Sequence, residues 1–178
     1  MKLRFIHIFM LSICSVQLSC AQPINSAAQP IENIAVAKNN ITTGAERLAS
    51  YLPLLKGKKV AIFANQTSVV GHTHLVDTLL NAGINIVKIF GPEHGFRGNA
   101  DAGEEIKNSV DKKTGIPIIS LYGNHKKPTT EDFKNVDVLV FDIQDVGVRF
   151  YTYISSLEYF LEAALEMHKP LLILDRPN

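Results

Sequence analysis

Residues 91–98 (GPEHGFRG) put a carboxylate, an imidazole and a guanidinium close together at the end of an apolar run. Glu93, His94 and Arg97 are the side-chain types that move protons and steady charge on a polar substrate. Gly91, Gly95 and Gly98 admit close backbone approach and positive φ, and Pro92 stiffens the entry to Glu93. A plainer reading of the same stretch is a tight turn closed by a Glu93–Arg97 ion pair. A second dense cluster follows at 141–153 (FDIQDVGVRFYTY). There Asp142 ends an apolar run. Gln144, Asp145, Arg149 and Tyr151 offer hydrogen bonds of both senses beside aromatic rings. Carbohydrate sites combine such rings, carboxylates and amides; the plain alternative is a structural Asp145–Arg149 pair. Asn65 and Gln66 end another run, as substrate donors or as partners for strand-end backbone. Asp175 and Arg176 end the last one.

Other chemistries find less support. No G-x-G-x-x-G follows the first run and no Walker A pattern occurs, so nucleotide cofactors lack their loop. No G-x-S-x-G elbow occurs, and Ser155 and Ser156 read as first-turn helix residues. His72, His74 and Glu93 are metal-ligand types, but there is no H-E-x-x-H and no diagnostic spacing. The expectation is no metal and no cofactor.

These clusters need elements to carry them. Five apolar runs, 59–64, 84–90, 116–121, 136–142 and 170–174, lack polar alternation and predict strands buried on both faces of a parallel sheet. In such sheets ligands bind at the carboxyl ends of the strands, where every polar cluster falls. Leu75, Val76, Leu79 and Leu80 predict a helix over 73–82, closed by Gly83. Thr43-Gly44-Ala45-Glu46 is a capping-box pattern, followed by Leu48, Tyr51, Leu52 and Leu55 at helical spacing. Pro53 is expected to truncate or kink that helix. Residues 129–134 form at most a short helix. Residues 153–168 predict a longer one, with Ile154, Leu157, Leu161, Ala164 and Leu165 on its apolar face. Residues 91–115 are a long glycine-rich excursion of the kind that is functional or mobile.

The chain has 178 residues, is 46% hydrophobic and carries a formal charge of +1. That suffices for one domain core and leaves no basic stripe for nucleic acid. Lys2, Arg4 and the apolar stretch 6–16 read as an export signal over 1–21, with Ser19-Cys20-Ala21 at its cleavage site. Cys20 also fits acylation, which would tether the protein to a membrane. The expected location is therefore periplasmic, or membrane-anchored as a lipoprotein. Both cysteines, Cys14 and Cys20, fall in this segment, so the body has no internal disulfide. Residues 22–42 read as a flexible linker and 43–178 as the domain. The chain stops where a strand-end loop should begin, so that domain is expected to be incomplete at its carboxyl end.

Asn65-Gln66-Thr67, 91–98, Ser120-Leu121-Tyr122-Gly123, 141–153 and Asp175-Arg176-Pro177-Asn178 together resemble one family. It is that of the NamZ-type exo-β-N-acetylmuramidases, also called DUF1343, and the resemblance runs from about residue 44 to the end. It implies an α/β fold, a Rossmann-like, mostly parallel sheet with flanking helices. A second, smaller domain would be missing here, and the site would lie in the cleft between the two. It implies release of N-acetylmuramic acid from the non-reducing ends of peptidoglycan fragments, with muramyl saccharides as partners and no nucleotide cofactor. Glu93 matches the glutamate of the family's P-E-H-G motif and is the first choice for catalysis. Glycoside hydrolysis normally uses two carboxyl groups; Asp142 is taken as the second, with Asp145 or a residue beyond Asn178 as alternatives. Asn65, Gln66, His94, Arg97, Gln144, Asp145, Arg149, Tyr151, Asp175 and Arg176 are the expected substrate contacts. One of the three arginines would hold the lactyl carboxylate of muramic acid. The alternatives are a non-catalytic cell-wall-fragment binding module and a metal-dependent hydrolase using His72, His74 and Glu93.

Overall fold

The computed structural model describes residues 41–98 and 108–177. The export signal, Cys20, nearly all of the linker and the stretch 99–107 lie outside the described residues.

The five apolar runs become β1 (Lys59–Ala64), β4 (Asn85–Gly91), β6 (Pro117–Ser120), β7 (Val138–Asp142) and β8 (Leu171–Ile173). All five run parallel in one sheet. A two-residue strand, β5 (Ser109–Val110), adds antiparallel to β6, giving the order β5-β6-β4-β1-β7-β8. The strands are continuous in apolar residues because both faces are covered. Along β1, Val60, Ile62 and Ala64 pack into one core with Leu55, Leu75, Leu79 and Ile89. Ala61 and Phe63 point the other way, into a core with Phe90, Phe133, Phe141 and Phe160. Phe160 is fully buried, with ring centroids 5.1 Å from Phe63, 5.4 Å from Phe90 and 5.7 Å from Phe133.

Three helices are described: α1 (Leu48–Leu55), α2 (Leu75–Asn81) and α3 (Tyr153–Glu166). The capping box forms, with Thr43 N donating to Glu46 Oε2 at 2.7 Å and Glu46 N reaching Thr43 Oγ1 at 3.4 Å. The helix itself starts later, and Pro53 lies inside it without ending it. α2 starts two residues later than expected. Thr73–His74 is spent as β3 of a small hairpin with β2 (Val69–Val70), and His74 then caps the helix. Residues 130–135 are a string of turns in place of a short helix. The apolar face expected for α3 is corrected in part. Ala164 is buried and Leu157 packs against the core as expected, joined by Phe160 and Ala163, whereas Ile154, Leu161 and Leu165 are exposed. The helix carries two apolar stripes, and the one bearing the large aromatic ring turned inward.

The strand order decides where a site can form. Numbered along the chain, the parallel strands lie 3-2-1-4-5, and the order reverses between β1 and β7. At such a reversal the flanking loops leave toward opposite faces and open a crevice at the carboxyl edge. Register brings the strand ends level: Ala64 pairs with Asp142, Gly91 with Ser120 and Phe141 with Ile173. All five polar clusters therefore sit on one rim.

Candidate active site

The crevice is a cleft of about 450 Å³ lined by Gln66 and Thr67 after β1, Glu93 and His94 after β4, and Gln144 and Val146 after β7. Phe150, Tyr151, Thr152 and Tyr153 close its far wall. The volume is in the range that holds a small ligand.

The β1 end is rigid because Asn65 folds it on itself. Asn65 Oδ1 accepts from Thr67 N at 2.9 Å and from Thr67 Oγ1 at 2.6 Å, an Asx turn. Thr67 Oγ1 accepts in turn from Gln144 N at 3.2 Å, which ties the β1 loop to the β7 loop across the crevice. Ser68 Oγ donates to the carbonyl of Asp142 and accepts from Asn65 N, a second tie at the same level. Asn65 is fully buried, and it supports the cleft without lining it. Its Nδ2 meets no partner at hydrogen-bond geometry among the described residues. It still lies near enough to the Tyr153 phenol to act on its proton affinity, which burial raises and Asn65 lowers.

His74 is a structural residue. Its Nδ1 accepts from Val76 N at 3.2 Å, so Nε2 carries the proton and meets the Asn65 carbonyl at 2.9 Å. Phe96 covers the ring edge-on at 4.6 Å. Both nitrogens are committed, and His72 is exposed on the hairpin, so the grouping of His72, His74 and Glu93 does not form. Among the described residues no three metal-ligating side chains come together. Burial lowers the proton affinity of His74, outweighing the hydrogen bond to Asn65. The folded ring thus stays neutral at pH values where the unfolded ring, with a pKa of about 6.5, already binds a proton. Protons then favour the unfolded state. Stability should be fully present above about pH 6.5 and fall as the pH drops through that value. Thermal melts from pH 7.5 to 5.5 should show a slope that His74→Gln reduces; equal slopes would remove His74 as its source.

The 91–98 loop folds back on its own strand. A Cβ on Gly91 would lie 3.1 Å from the backbone N of Phe96, so glycine allows the return. His94 takes φ 69°, a strained value for a residue with a side chain. Glu93 is half-buried and lines the cleft. Its Oε1 accepts from the Tyr122 hydroxyl at 3.0 Å.

Arg97, an expected substrate contact, is held by two carboxylates outside the cleft lining. Its guanidinium meets both oxygens of Asp111, at 2.9 and 2.8 Å, and reaches Asp77 at 3.3 Å. It pairs with neither Glu93 nor a cleft-facing position. It pins the loop to α2 and to the turn after β5, and it pulls the Asp111 carboxyl down to about 2. Asp142 lies outside that lining too. It is fully buried beneath the rim, and Arg176 grips it with Nε at 2.5 Å from Oδ1 and Nη2 at 2.9 Å from Oδ2. The same Nη2 donates to the Val69 carbonyl at 2.9 Å. Burial pushes the Asp142 carboxyl up and the Arg176 fork pulls it back. This pair clamps the loops after β7 and β8 to the hairpin, and neither member points into the cleft. Asp142, expected as a catalytic carboxylate, and Arg176, expected as a substrate contact, are thus placed against each other and away from the cleft lining.

Of the remaining expected residues, Gln66, His94, Gln144 and Tyr151 do line the cleft. Gln144 Nε2 donates to the carbonyls of Asp145 and Pro177, at 2.8 and 2.6 Å. Asp145 and Asp175 line a neighbouring cavity of about 410 Å³, behind Tyr153. Arg149 is exposed on the loop that builds the far wall, and neither it nor Asp145 forms an ion pair among the described residues. Sequence reasoning passed over Tyr122, Thr67, Phe150 and Tyr153 as cleft or cleft-supporting residues. All four stand within the polar clusters that follow strands, and an 84%-exposed Phe150 is the kind of ring a ligand covers.

Residues 60–178 match the family described as "Exo-beta-N-acetylmuramidase NamZ, N-terminal". The chain belongs to the NamZ family. A NamZ relative from Bacillus subtilis (strain 168), the peptidoglycan β-N-acetylmuramidase NamZ, is 50% identical over 146 residues. That match covers 79% of this chain and 35% of the relative. Two crystal structures of DUF1343 family proteins from Bacteroides fragilis NCTC 9343 share the architecture. One has a TM-score of 0.66 at 48% identity, the other 0.70 at 44%, and each match covers 77% of this chain and 35% of the other. The chain thus spans about a third of the length of these NamZ-family relatives.

Proposed function

We propose that the protein is an exo-acting glycoside hydrolase that releases N-acetylmuramic acid from the non-reducing ends of peptidoglycan fragments by carboxylate acid/base catalysis. The observation that carries this reading is Glu93, a half-buried carboxylate in the loop after β4, the strand beside the switch point. It faces a cleft walled by amides and by the Phe150, Tyr151 and Tyr153 rings. Membership of the NamZ family supports the substrate class, since the Bacillus relative is a peptidoglycan β-N-acetylmuramidase. The test is release of N-acetylmuramic acid from an aryl muramide by the intact protein. An inert protein, correctly folded, would remove the proposal. Export through residues 1–21, with or without acylation at Cys20, belongs to the same reading, because it would carry the protein to its substrate. Cell fractionation checks it, and a cytoplasmic pool alone would reject it.

Arg149 is our choice for the lactyl carboxylate. Arg97 and Arg176 are saturated by buried acids, whereas Arg149 stands exposed on the loop of the far wall. A charge-assisted hydrogen bond at an exposed site is worth enough for roughly a tenfold change in affinity. Arg149→Met should raise KM for the muramide about tenfold with little change in kcat. An unchanged KM would pass the role to another group.

One observation favours a second reading. Glu93 is the only carboxylate lining the cleft among the described residues, and glycosidases generally use two. A binding module would need none. Calorimetry with a muramyl ligand beside the activity assay separates the two: binding with no turnover by the intact protein favours the module.

A further inference from the structure

Three groups around Glu93 have no assigned role: the Tyr122 hydroxyl, the Tyr153 hydroxyl and the second carboxylate oxygen of Glu93. Tyr122 follows β6, one residue after Leu121, whose backbone N donates to the Gly91 carbonyl at 2.9 Å. That bond fixes the Tyr122 backbone against the end of β4, the strand that delivers Glu93. The phenol then reaches across and donates to Glu93 Oε1 at 3.0 Å. Oε2 takes no hydrogen bond among the described residues, and the side chain lines the cleft. The other titratable side chains lining the cleft with Glu93 are His94 on its own loop, Tyr151 on the far wall and Tyr153 at the start of α3. Tyr153 feels the Glu93 charge, while Arg97 has turned away to Asp111 and Asp77.

A donor on one oxygen of a carboxyl group locks the side chain's rotamer and fixes the direction of the other oxygen. Resting on the glycosidase reading above, we infer that Tyr122 is a positioning residue: it holds Glu93 by Oε1 and leaves Oε2, with no bond to a described residue, as the oxygen that takes a proton in the reaction. The balanced step is simple. An O–H bond of the attacking water breaks and its proton goes to Glu93 Oε2, while the water oxygen bonds to the anomeric carbon. The bond from that carbon to the leaving oxygen breaks, with its electron pair staying on the oxygen. A phenolate leaves unaided; a sugar hydroxylate takes its proton from a second group of the carboxylic-acid class. In agreement, the Glu93 hydrogen bond pushes the Tyr122 phenol up, so Tyr122 stays a donor through the working range.

The test is kcat and KM of the intact protein on an aryl muramide, with Tyr122→Phe and Glu93→Gln beside the parent. Tyr122→Phe keeps the ring and removes only the donor. It should lower kcat about tenfold, the loss expected for one hydrogen bond, and leave KM nearly unchanged. A kcat unmoved by Tyr122→Phe, with Glu93→Gln inactive, would overturn the inference and leave the glycosidase reading standing. A raised KM with kcat held would make Tyr122 a substrate contact and overturn it as well. Glu93→Gln retaining full turnover would overturn the glycosidase role of Glu93, and this inference with it. A variant that only melts at lower temperature, with kcat unmoved, counts against Tyr122.

Discussion

Glu93→Gln is expected to lower turnover of an aryl muramide by about 10²–10⁴-fold, the usual contribution of one positioned acid–base group. The change is nearly isosteric. The Gln carbonyl oxygen still accepts from Tyr122, so the loop after β4 keeps its hydrogen bond. The side chain is half-buried and in no ion pair among the described residues, so the melting temperature should move little. Substrate affinity should hold as well, because the cleft walls are untouched. Loss of kcat with KM and stability retained is the signature sought. Turnover within a few-fold of the parent would take Glu93 out of the chemistry, whatever its place on the rim.

The second large effect concerns stability. Asp142→Ala should destabilise the protein by about 3–5 kcal/mol, because it leaves the Arg176 guanidinium buried beside an empty partner site. Asp142 is fully buried and the Arg176 side chain is 7% exposed, so solvent cannot take over the lost contacts. For a domain of this size the melting temperature should drop by roughly 10 °C. The loss reflects a charge stranded in the interior more than the worth of the pair itself. Removing both members, as in Asp142→Ala with Arg176→Met, should therefore recover part of the loss. Thermal denaturation of the two singles and the double measures the coupling. If Asp142→Ala melted like the parent yet lost all turnover, Asp142 would be a reacting group and the clamp would be a misreading.

What could be read without coordinates follows from how locally each feature is encoded. The five strands were legible because a strand covered on both faces needs apolar side chains at every position, and such runs stand out in one dimension. Their ends were legible because polar residues and glycine stop a run. β2, β3 and β5 were not, since two-residue strands carry no period. Three of the five residues on the expected face of α3 were misplaced because Ile154, Leu161 and Leu165 follow helical spacing as faithfully as Tyr153, Leu157, Phe160 and Ala164 do. Only the aromatic cluster waiting beneath the sheet chose between them.

The composition and order of residues by themselves determined an α/β chain with its chemistry at strand ends, a glutamate in a glycine-lined loop, and membership of the NamZ family. These are local matters of backbone freedom and run length. Tertiary structure alone decided which charges line the cleft and which meet one another away from it. Arg97 and Asp111 are 14 residues apart, Asp142 and Arg176 34, Glu93 and Tyr122 29. An ionic group's role depends on what meets it across the strand order, and that meeting is a distance in space which no spacing along the chain records.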